Sequence, residues 1–255
     1  MIGLNRPQGI NIKSKNELDL IREAGRMLKE VKNKIKQHIS EGITTKELDN
    51  IAEKEIYKLG GKPGFKGLYG FPGTICSSFN EEIVHGIPGS RKLKNGDILS
   101  VDCGVIYEEF NSDSAFTVSI GEVPDNIKSL ISTTYEALQL GIKSAIPGNQ
   151  IGDIGHSVES YSVSKGFSVV KEYVGHGIGK NLHEDPQIPN YGKKSTGPKI
   201  TEGMALAIEP MLIEGKEQTI VDEDGWTVKT ADSSMSAHFE DTIIITENTF
   251  EIITS

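Results

Sequence analysis

The stretch VDCGVIYEEFNSDSAF, residues 101–116, places two aspartates in a segment that has the pattern of a β-hairpin. Asp102 follows the apolar run ILSV, and Asp113 lies in the returning strand. A carboxylate is costly to bury without a partner, so its presence in an apolar strand asks for a reason. If the chain turns near residues 107–108, the two aspartates face each other across the ladder on one side of the sheet. The hairpin therefore predicts a carboxylate pair within reach of a common pair of metal ions.

The bulk composition indicates an ordinary globular protein. A chain of 255 residues can bury a sizeable core, and 36% hydrophobic and 25% charged residues are typical of such proteins. The net charge of -9 argues against broad electrostatic binding of nucleic acid, so no DNA partner is expected. The lysine-rich run at residues 13–36 is interpreted as the solvated face of an amphipathic helix.

Cysteine content and hydropathy together bear on the compartment. Cys76 and Cys103 are too few for a disulfide framework in a chain this long, and their spacing matches no zinc motif. The N-terminal residues contain no apolar segment of the kind found in secretory signals. No run of about 18 apolar residues exists that would cross a membrane. We therefore expect a cytoplasmic protein with free thiols and no membrane partner.

The spacing of apolar residues predicts four helices followed by or interleaved with short strands. Ser14 and Glu17 form a capping-box pattern at the start of the first helix. No break in composition separates the chain into parts, so we expect one domain over residues 1–255. The expected helices cover 17–39, the segment between Thr44 or Thr45 and Gly60-Gly61, 125–146 and 151–166; strands are expected within 62–90, at 97–106 and 111–119, and from 167 onwards.

The two halves of the chain contain a weak internal repeat. HGIPG precedes NGDILSVD in the first half, and HGIGK precedes EGMALAIE in the second. In each half a glycine (Gly96, Gly203) lies six positions before an acidic residue (Asp102, Glu209). Two such matches in the same order predict two related halves that share one sheet.

Five polar residues lie in apolar, strand-like surroundings. Each alone is compatible with a hydrogen-bonded buried group or a strand end that faces water. Four carboxylates gathered at one sheet centre would repel one another unless cations lay among them. A set with one imidazole and no thiolate suits Mn, Fe(II) or Co better than a structural zinc. The five residues are Asp102, Asp113, His176, Glu209 and Glu240.

Five motifs together carry a family resemblance. They are NEEIVHGIPG, the aspartate pair of the hairpin, GHGIGKNLHEDPQIPNYG, EGMALAIEPM and AHFEDTIIIT, in one order between about residues 14 and 250. In series they resemble the type I methionine aminopeptidases in their short bacterial form. The resemblance implies an α/β (α+β) pita-bread fold with pseudo-two-fold symmetry, whose antiparallel central sheet is covered by helices. It also implies removal of the N-terminal methionine when the next residue is small, by attack of a metal-bridging hydroxide on the first peptide bond.

The same resemblance assigns roles to individual residues. The five residues above become ligands of two divalent ions (Co, Mn, Fe(II) or Zn), with Asp113 and Glu240 bridging both. Glu209 is also the general base, His183 contacts the developing oxyanion, and His85 contacts the scissile amide nitrogen. The methionine side chain is expected in an apolar pocket formed by Phe65, Tyr69, Phe71, Cys76 and Trp226.

The resemblance further implies partners. The substrates would be the N-termini of nascent polypeptides, contact with the ribosome is expected, and the protein is expected to be a monomer.

Three positions depart from the family pattern, and two other functions compete. Gly104 stands where many relatives have Ser or Thr, Leu182 where a Phe is frequent, and Asp241 where a His is frequent. Asp241 would add negative charge near the metals if it pointed inward. The alternatives are an Xaa-Pro aminopeptidase or prolidase of the same fold, and a pita-bread binding protein without catalysis.

Overall fold

The computed structural model describes residues 9–255, so the expectation about a secretory signal falls largely outside the described part of the chain. It contains helices joined to short, mostly antiparallel strands. The helices are α1 Lys15–Lys36, α2 Thr45–Lys58, α3 Asp125–Ser144 and α4 Ile151–Ser164, with a short 3-10 helix at Leu68–Gly70. The strands are β1 Lys62–Pro63, β2 Ile75–Phe79, β3 Glu82–Val84, β4 Ile98–Tyr107, β5 Phe110–Ser119, β6 Ser168–Val169, β7 Gly175–Gly177, β8 Glu184–Ile188, β9 Ala205–Ile208, β10 Met211–Ile213, β11 Thr219–Val221, β12 Val228–Thr230, β13 Ser236–His238, β14 Asp241–Ile245 and β15 Phe250–Ile252.

The start of α1 confirms the predicted capping box. The Ser14 side chain accepts a hydrogen bond from the Glu17 amide, and the Glu17 carboxylate accepts one from the Ser14 amide at 2.8 Å. Both bonds satisfy amides that the first turn of a helix leaves without partners. The apolar stripe of α1 then packs on strands β4 and β5. Helix α1 therefore covers one face of the aspartate hairpin.

The hairpin differs from its predicted register. The two-residue turn is Glu108-Glu109, both with positive φ (44° and 71°), rather than one centred between residues 107 and 108. Asp102 consequently pairs with Ala115, and Asp113 pairs with Gly104. The two aspartates are diagonal neighbours instead of a directly opposed pair, but the shift is two residues, so both stay on the same face.

The two halves join at the hairpin. Strands β4, β5, β1 and β2 form one sheet, and strands β15, β14, β9, β7 and β8 form another. Ala115 and Glu240 exchange backbone hydrogen bonds of 3.2 and 3.0 Å, and Thr242 Oγ1 donates to the Asp113 carbonyl at 2.7 Å. Each half contributes two helices followed by strands, but the hairpin sheet and the five-stranded sheet are separate and are joined by these bonds, rather than forming the single shared sheet that the internal repeat predicts. The acidic residues of both halves thus come to the middle of the molecule.

The lysine-rich run is not simply a solvated face. Lys13 and Lys32 are only 5% and 6% exposed, because each ammonium group has a buried acceptor among residues far away in sequence. Within residues 9–255, no helix is both long and apolar enough to cross a membrane.

Candidate metal centre

Five polar side chains converge where the two halves meet. Each lies on a central strand or immediately beside one, so that backbone pairing fixes its position. Asp113, His176 and Glu240 each offer a ligand atom, and these three atoms lie within 4.8 Å of one another. Asp102 lies on β4, Asp113 on β5, His176 on β7, Glu209 directly after β9 and Glu240 directly before β14.

The distances tie the two remaining carboxylates to this group. His176 Nε2 lies 3.8 Å from Asp113 Oδ2 and 3.6 Å from Glu209 Oε1. Asp102 lies diagonally across the β4–β5 ladder from Asp113, on the same face of the hairpin. The structure therefore brings the predicted ligand set together in space. The two aspartates of the hairpin are diagonal neighbours, however, and not the directly opposed pair that the sequence predicted.

The electrostatics of the cluster demand a positive partner. Burial raises the pKa of Asp102 to about 7. Burial and the neighbouring carboxylates raise the pKa values of Asp113, Glu209 and Glu240 well above their usual range. Carboxyl groups that resist ionisation in this way are stabilised as carboxylates when a cation lies between them.

Unpaired atoms identify where a cation fits. Asp102 Oδ1, Asp113 Oδ1 and Glu240 Oε1 are buried, and none has a hydrogen-bond partner among residues 9–255. His176 Nδ1 lies 3.0 Å from the Gly177 carbonyl, which fixes the tautomer with the proton on Nδ1 and leaves Nε2 facing the carboxylates. Burial lowers the His176 pKa to about 3, so the ring is neutral at physiological pH, as a metal ligand must be. The chemistry of these oxygen and nitrogen donors fits divalent ions.

The position of Gly104 has a steric explanation. A Cβ atom built on Gly104 would lie 2.8 Å from Phe65 Cε1 and 3.2 Å from Phe65 Cδ1. The Phe65 ring thus fills the space into which a Ser or Thr side chain would project. In this chain an aromatic ring packs where a hydroxyl was expected to support the site.

Asp241 does not add charge to the cluster from within. Glu240 and Asp241 are adjacent residues, and the Asp241 carboxylate turns toward α1, where it lies 3.5 Å from Lys32 Nζ and accepts from Thr254 at 2.7 Å. Lys32 Nζ also donates to Ser114 Oγ at 2.5 Å, and Ser114 Oγ donates to the Glu240 carbonyl at 2.6 Å. A buried ion pair therefore lies directly behind the backbone segments that carry Asp113 and Glu240.

Three further histidines surround the cluster. The ring centroids of His183 and His176 lie 4.5 Å apart. His183 is an exposed residue, but burial of part of its side chain lowers its pKa. Burial and the nearby His183 lower the pKa of His85 to about 4, so this ring is neutral. His238 was not predicted as a site residue, but its buried Nε2 has no hydrogen-bond partner in the described part of the chain and lies 3.8 Å from Glu209 Oε2. Its position two residues before Glu240 was the available signal, since such residues share a strand face.

An apolar cluster adjoins the candidate metal ligands. Phe65, Phe71, Cys76 and Trp226 pack together in it, and the Phe71 and Trp226 rings meet edge to face at 5.2 Å. Tyr69 does not join them, because its side chain is 60% exposed. Leu68, which precedes Tyr69, packs in the cluster instead, as does Leu182, one of the three residues that depart from the family pattern.

Comparison with known proteins agrees with this architecture. The model of metallopeptidase family M24 matches residues 19–247. The chain is 50% identical over 242 residues to methionine aminopeptidase 1 of Bacillus subtilis, covering 95% of this chain and 98% of that protein. The crystal structure of a methionine aminopeptidase from Thermotoga maritima superposes with a TM-score of 0.95 at 44% identity, covering 97% of this chain and 100% of that one.

A prolidase from Pyrococcus furiosus shares the fold more distantly. Its TM-score is 0.77 at 22% identity, and the match covers 96% of this chain but only 65% of the prolidase. The likeness at that level concerns the fold alone.

Proposed function

The chain belongs to the methionine aminopeptidases of metallopeptidase family M24, and from this premise we propose how its residues release the N-terminal methionine of a polypeptide. The observation that carries the proposal is the convergence of four carboxylates and one neutral imidazole; three of the carboxylate oxygens are buried with no hydrogen-bond partner within residues 9–255. Such a set accounts for its own burial only when it holds cations. We propose that residues 1–255 form one catalytic domain around this centre.

Two divalent ions are proposed as the bound cofactor. Asp102, Asp113, His176, Glu209 and Glu240 would hold them. When bound, such ions activate a water molecule as the nucleophile and polarise the scissile carbonyl. Mn, Fe(II), Co and Zn all suit oxygen and imidazole donors, and the cellular supply of metals contributes to the choice.

Proton transfer is assigned to Glu209. Its carboxylate faces the cluster, with His176 Nε2 at 3.6 Å and His238 Nε2 at 3.8 Å. We assign to it removal of a proton from the attacking water and delivery of that proton to the leaving amine. In the metal-free cluster, burial and the charges of Asp113 and Asp102 raise the pKa of Glu209, so this carboxyl group holds a proton more readily than an exposed glutamate does.

Two histidines are proposed to hold the scissile peptide. His183 donates a hydrogen bond to the carbonyl oxygen as negative charge develops there; removing one such donor elsewhere costs about 3–4 kcal/mol in the transition state. His85 is neutral, so one of its ring nitrogens is free to accept a hydrogen bond from the scissile amide.

The methionine side chain is proposed to enter the apolar cluster beside the metal-binding residues. In the proposed pocket, Leu68 takes the place that the sequence predicted for Tyr69, because Leu68 packs there and Tyr69 is exposed. An apolar pocket of this kind selects by size and shape. A small second residue would then be required for steric reasons. We further propose that the protein acts on nascent chains as a cytoplasmic monomer and that it contacts the ribosome.

A peptide panel tests the proposed function against its alternatives. The chain is stripped of metal, reloaded with Mn, Fe(II) or Co in separate samples, and incubated with Met-Gly-Met-Met, Ala-Pro and Gly-Pro. Release of methionine from the first peptide alone supports the proposal. Cleavage confined to the proline peptides would favour an Xaa-Pro peptidase, and inactivity with every metal would favour a binding protein.

A further inference from the structure

The loop that carries His183 is held by contacts from two distant parts of the chain. The loop follows β7 and runs from residue 179 to His183, with an internal bond from the Gly179 amide to the Asn181 carbonyl at 3.1 Å. His183 itself lies at the exposed rim of the site. A side chain on such a loop keeps its orientation only if neighbouring groups fix the backbone that presents it.

The first anchor is the buried ion pair Lys13–Glu184. Lys13 Nζ lies 2.8 Å from Glu184 Oε2, and the two side chains are only 2% and 9% exposed. Glu184 follows His183 directly, and its Oε1 accepts the Asn181 amide at 3.1 Å. Lys13 is in turn fixed by its own amide, which donates to the Gly203 carbonyl at 2.9 Å.

Gly179 is what allows the Glu184 carboxylate to lie beneath the loop. A Cβ atom on Gly179 would lie 2.5 Å from Glu184 Oε1 and 2.8 Å from Oε2. Any other residue would therefore push the carboxylate away from both the Asn181 amide and Lys13.

The second anchor is Asn111 on β5. Its side-chain amide donates to the Gly179 carbonyl at 3.0 Å and to the Lys180 carbonyl at 2.9 Å, and its backbone amide donates to Gly179 at 2.8 Å. Asn111 is 4% exposed and lies two residues before Asp113 on the same strand. It thus ties the His183 loop directly to the strand that carries a proposed bridging ligand.

From these contacts we propose that Asn111 and the Lys13–Glu184 pair are positioning residues that fix His183 toward the scissile carbonyl. The inference rests on the function proposed above for His183. The side chains of Lys13 and Glu184 make no hydrogen bond or ion pair with the five proposed metal ligands among the contacts above. We therefore expect their influence on turnover to pass through the loop that carries His183.

A double-mutant cycle tests this proposal. Lys13→Met and Asn111→Leu are each made in the wild-type protein and in a His183→Ala background, all reloaded with Mn. In the wild-type background we expect kcat for Met-Gly-Met-Met to fall about ten- to a hundredfold, the range that a misplacement of about 1 Å produces, with KM changed much less. In the His183→Ala background the same substitutions should change kcat less than about twofold.

Controls separate positioning from general damage. Lys58→Met removes a lysine whose side chain is 70% exposed from its ion pair with Glu55 and should leave kcat unchanged. Lys13→Met/Glu184→Gln removes both charges, so it replaces Lys13→Met if that variant folds poorly, and Lys13→Arg should recover part of the lost turnover. Bound Mn and the thermal midpoint are measured for each variant.

The outcomes are distinguishable. Equal losses of kcat in both backgrounds, or unchanged kcat in the Lys13 and Asn111 variants, would overturn the positioning role while the wild-type protein still releases methionine. If the wild-type protein releases no methionine with any metal, the proposed function itself fails.

Discussion

Gly104 offers a sharp test of how the site is packed. Substituting Gly104→Ser adds a side chain that starts 2.8 Å from the Phe65 ring, well inside van der Waals contact. The ring must move, and the apolar cluster around it lies in its path. Overpacking of this kind typically costs about 1–3 kcal/mol. For a chain of this size that corresponds to a fall of about 2–12 °C in the thermal midpoint.

Displacement of the ring should also be visible in catalysis. Phe65 lines the pocket proposed for methionine, and a pocket changed by one methylene group loses about tenfold or more in kcat/KM. We therefore expect a raised KM for Met-Gly-Met-Met. The Gly104→Ser/Phe65→Ala variant should be more stable than the sum of the two single changes predicts, by about 1 kcal/mol or more.

The assay is thermal and urea unfolding of metal-loaded variants, together with steady-state kinetics. Gly89→Ser is the matched control, because a Cβ there meets only the Ile87 carbonyl at 3.9 Å. If Gly104→Ser behaves like Gly89→Ser in both stability and KM, the packing of Phe65 over Gly104 is refuted. Additive single changes in the double variant would refute it as well.

Three other predictions follow from the buried charges. Lys32→Met leaves the Asp241 carboxylate buried without its cation, so it should lower the free energy of unfolding in urea by about 3–5 kcal/mol. The double variant Lys32→Met/Asp241→Asn should recover part of this loss. Unchanged stability in the single variant would disprove the pairing. Glu209→Gln, compared with wild type in samples matched for measured bound metal, should lower kcat by about 10²–10⁴-fold, and near-normal turnover would refute its role as the base. In the metal-free protein the pKa of Asp102 is raised to about 7, from about 3.9 in the unfolded chain. Between these two pH values the unfolded chain binds fewer protons than the folded protein. The free energy of unfolding therefore falls as pH rises, by on the order of a few kcal/mol. The thermal midpoint measured in EDTA should therefore be lower at pH 8 than at pH 5, and added Mn should raise it more at pH 8; a metal-free midpoint that rises over this range contradicts the account.

Local rules predicted the helices and the face of the hairpin. The capping box at Ser14 and Glu17 depends on residues three apart, so the sequence contains all the information it needs. The helix predicted at 125–146 ends at Ser144, two residues early, which is within the fraying expected of helix ends. The alternation of a strand likewise kept Asp102 and Asp113 on one face, even though the turn was misplaced by one position.

Contacts across large sequence separations were harder to foresee. Lys32 falls within the apolar stripe of α1, but its partner Asp241 is over 200 residues away, and only tertiary packing shows that the two meet. Phe65 over Gly104 is a similar case, because nothing local to Gly104 indicates which side chain fills the space above it. The interpretation of residues 13–36 as a solvated face was wrong at Lys13 and Lys32 for the same reason.

The central claim is that five side chains from both halves of the chain hold two metal ions. Crystals of the protein soaked in Mn, measured at the Mn absorption edge, would locate these ions by anomalous scattering. We predict two peaks about 3.5–4 Å apart, both in contact with Asp113 and Glu240. A single peak, or peaks away from these two carboxylates, would contradict the account.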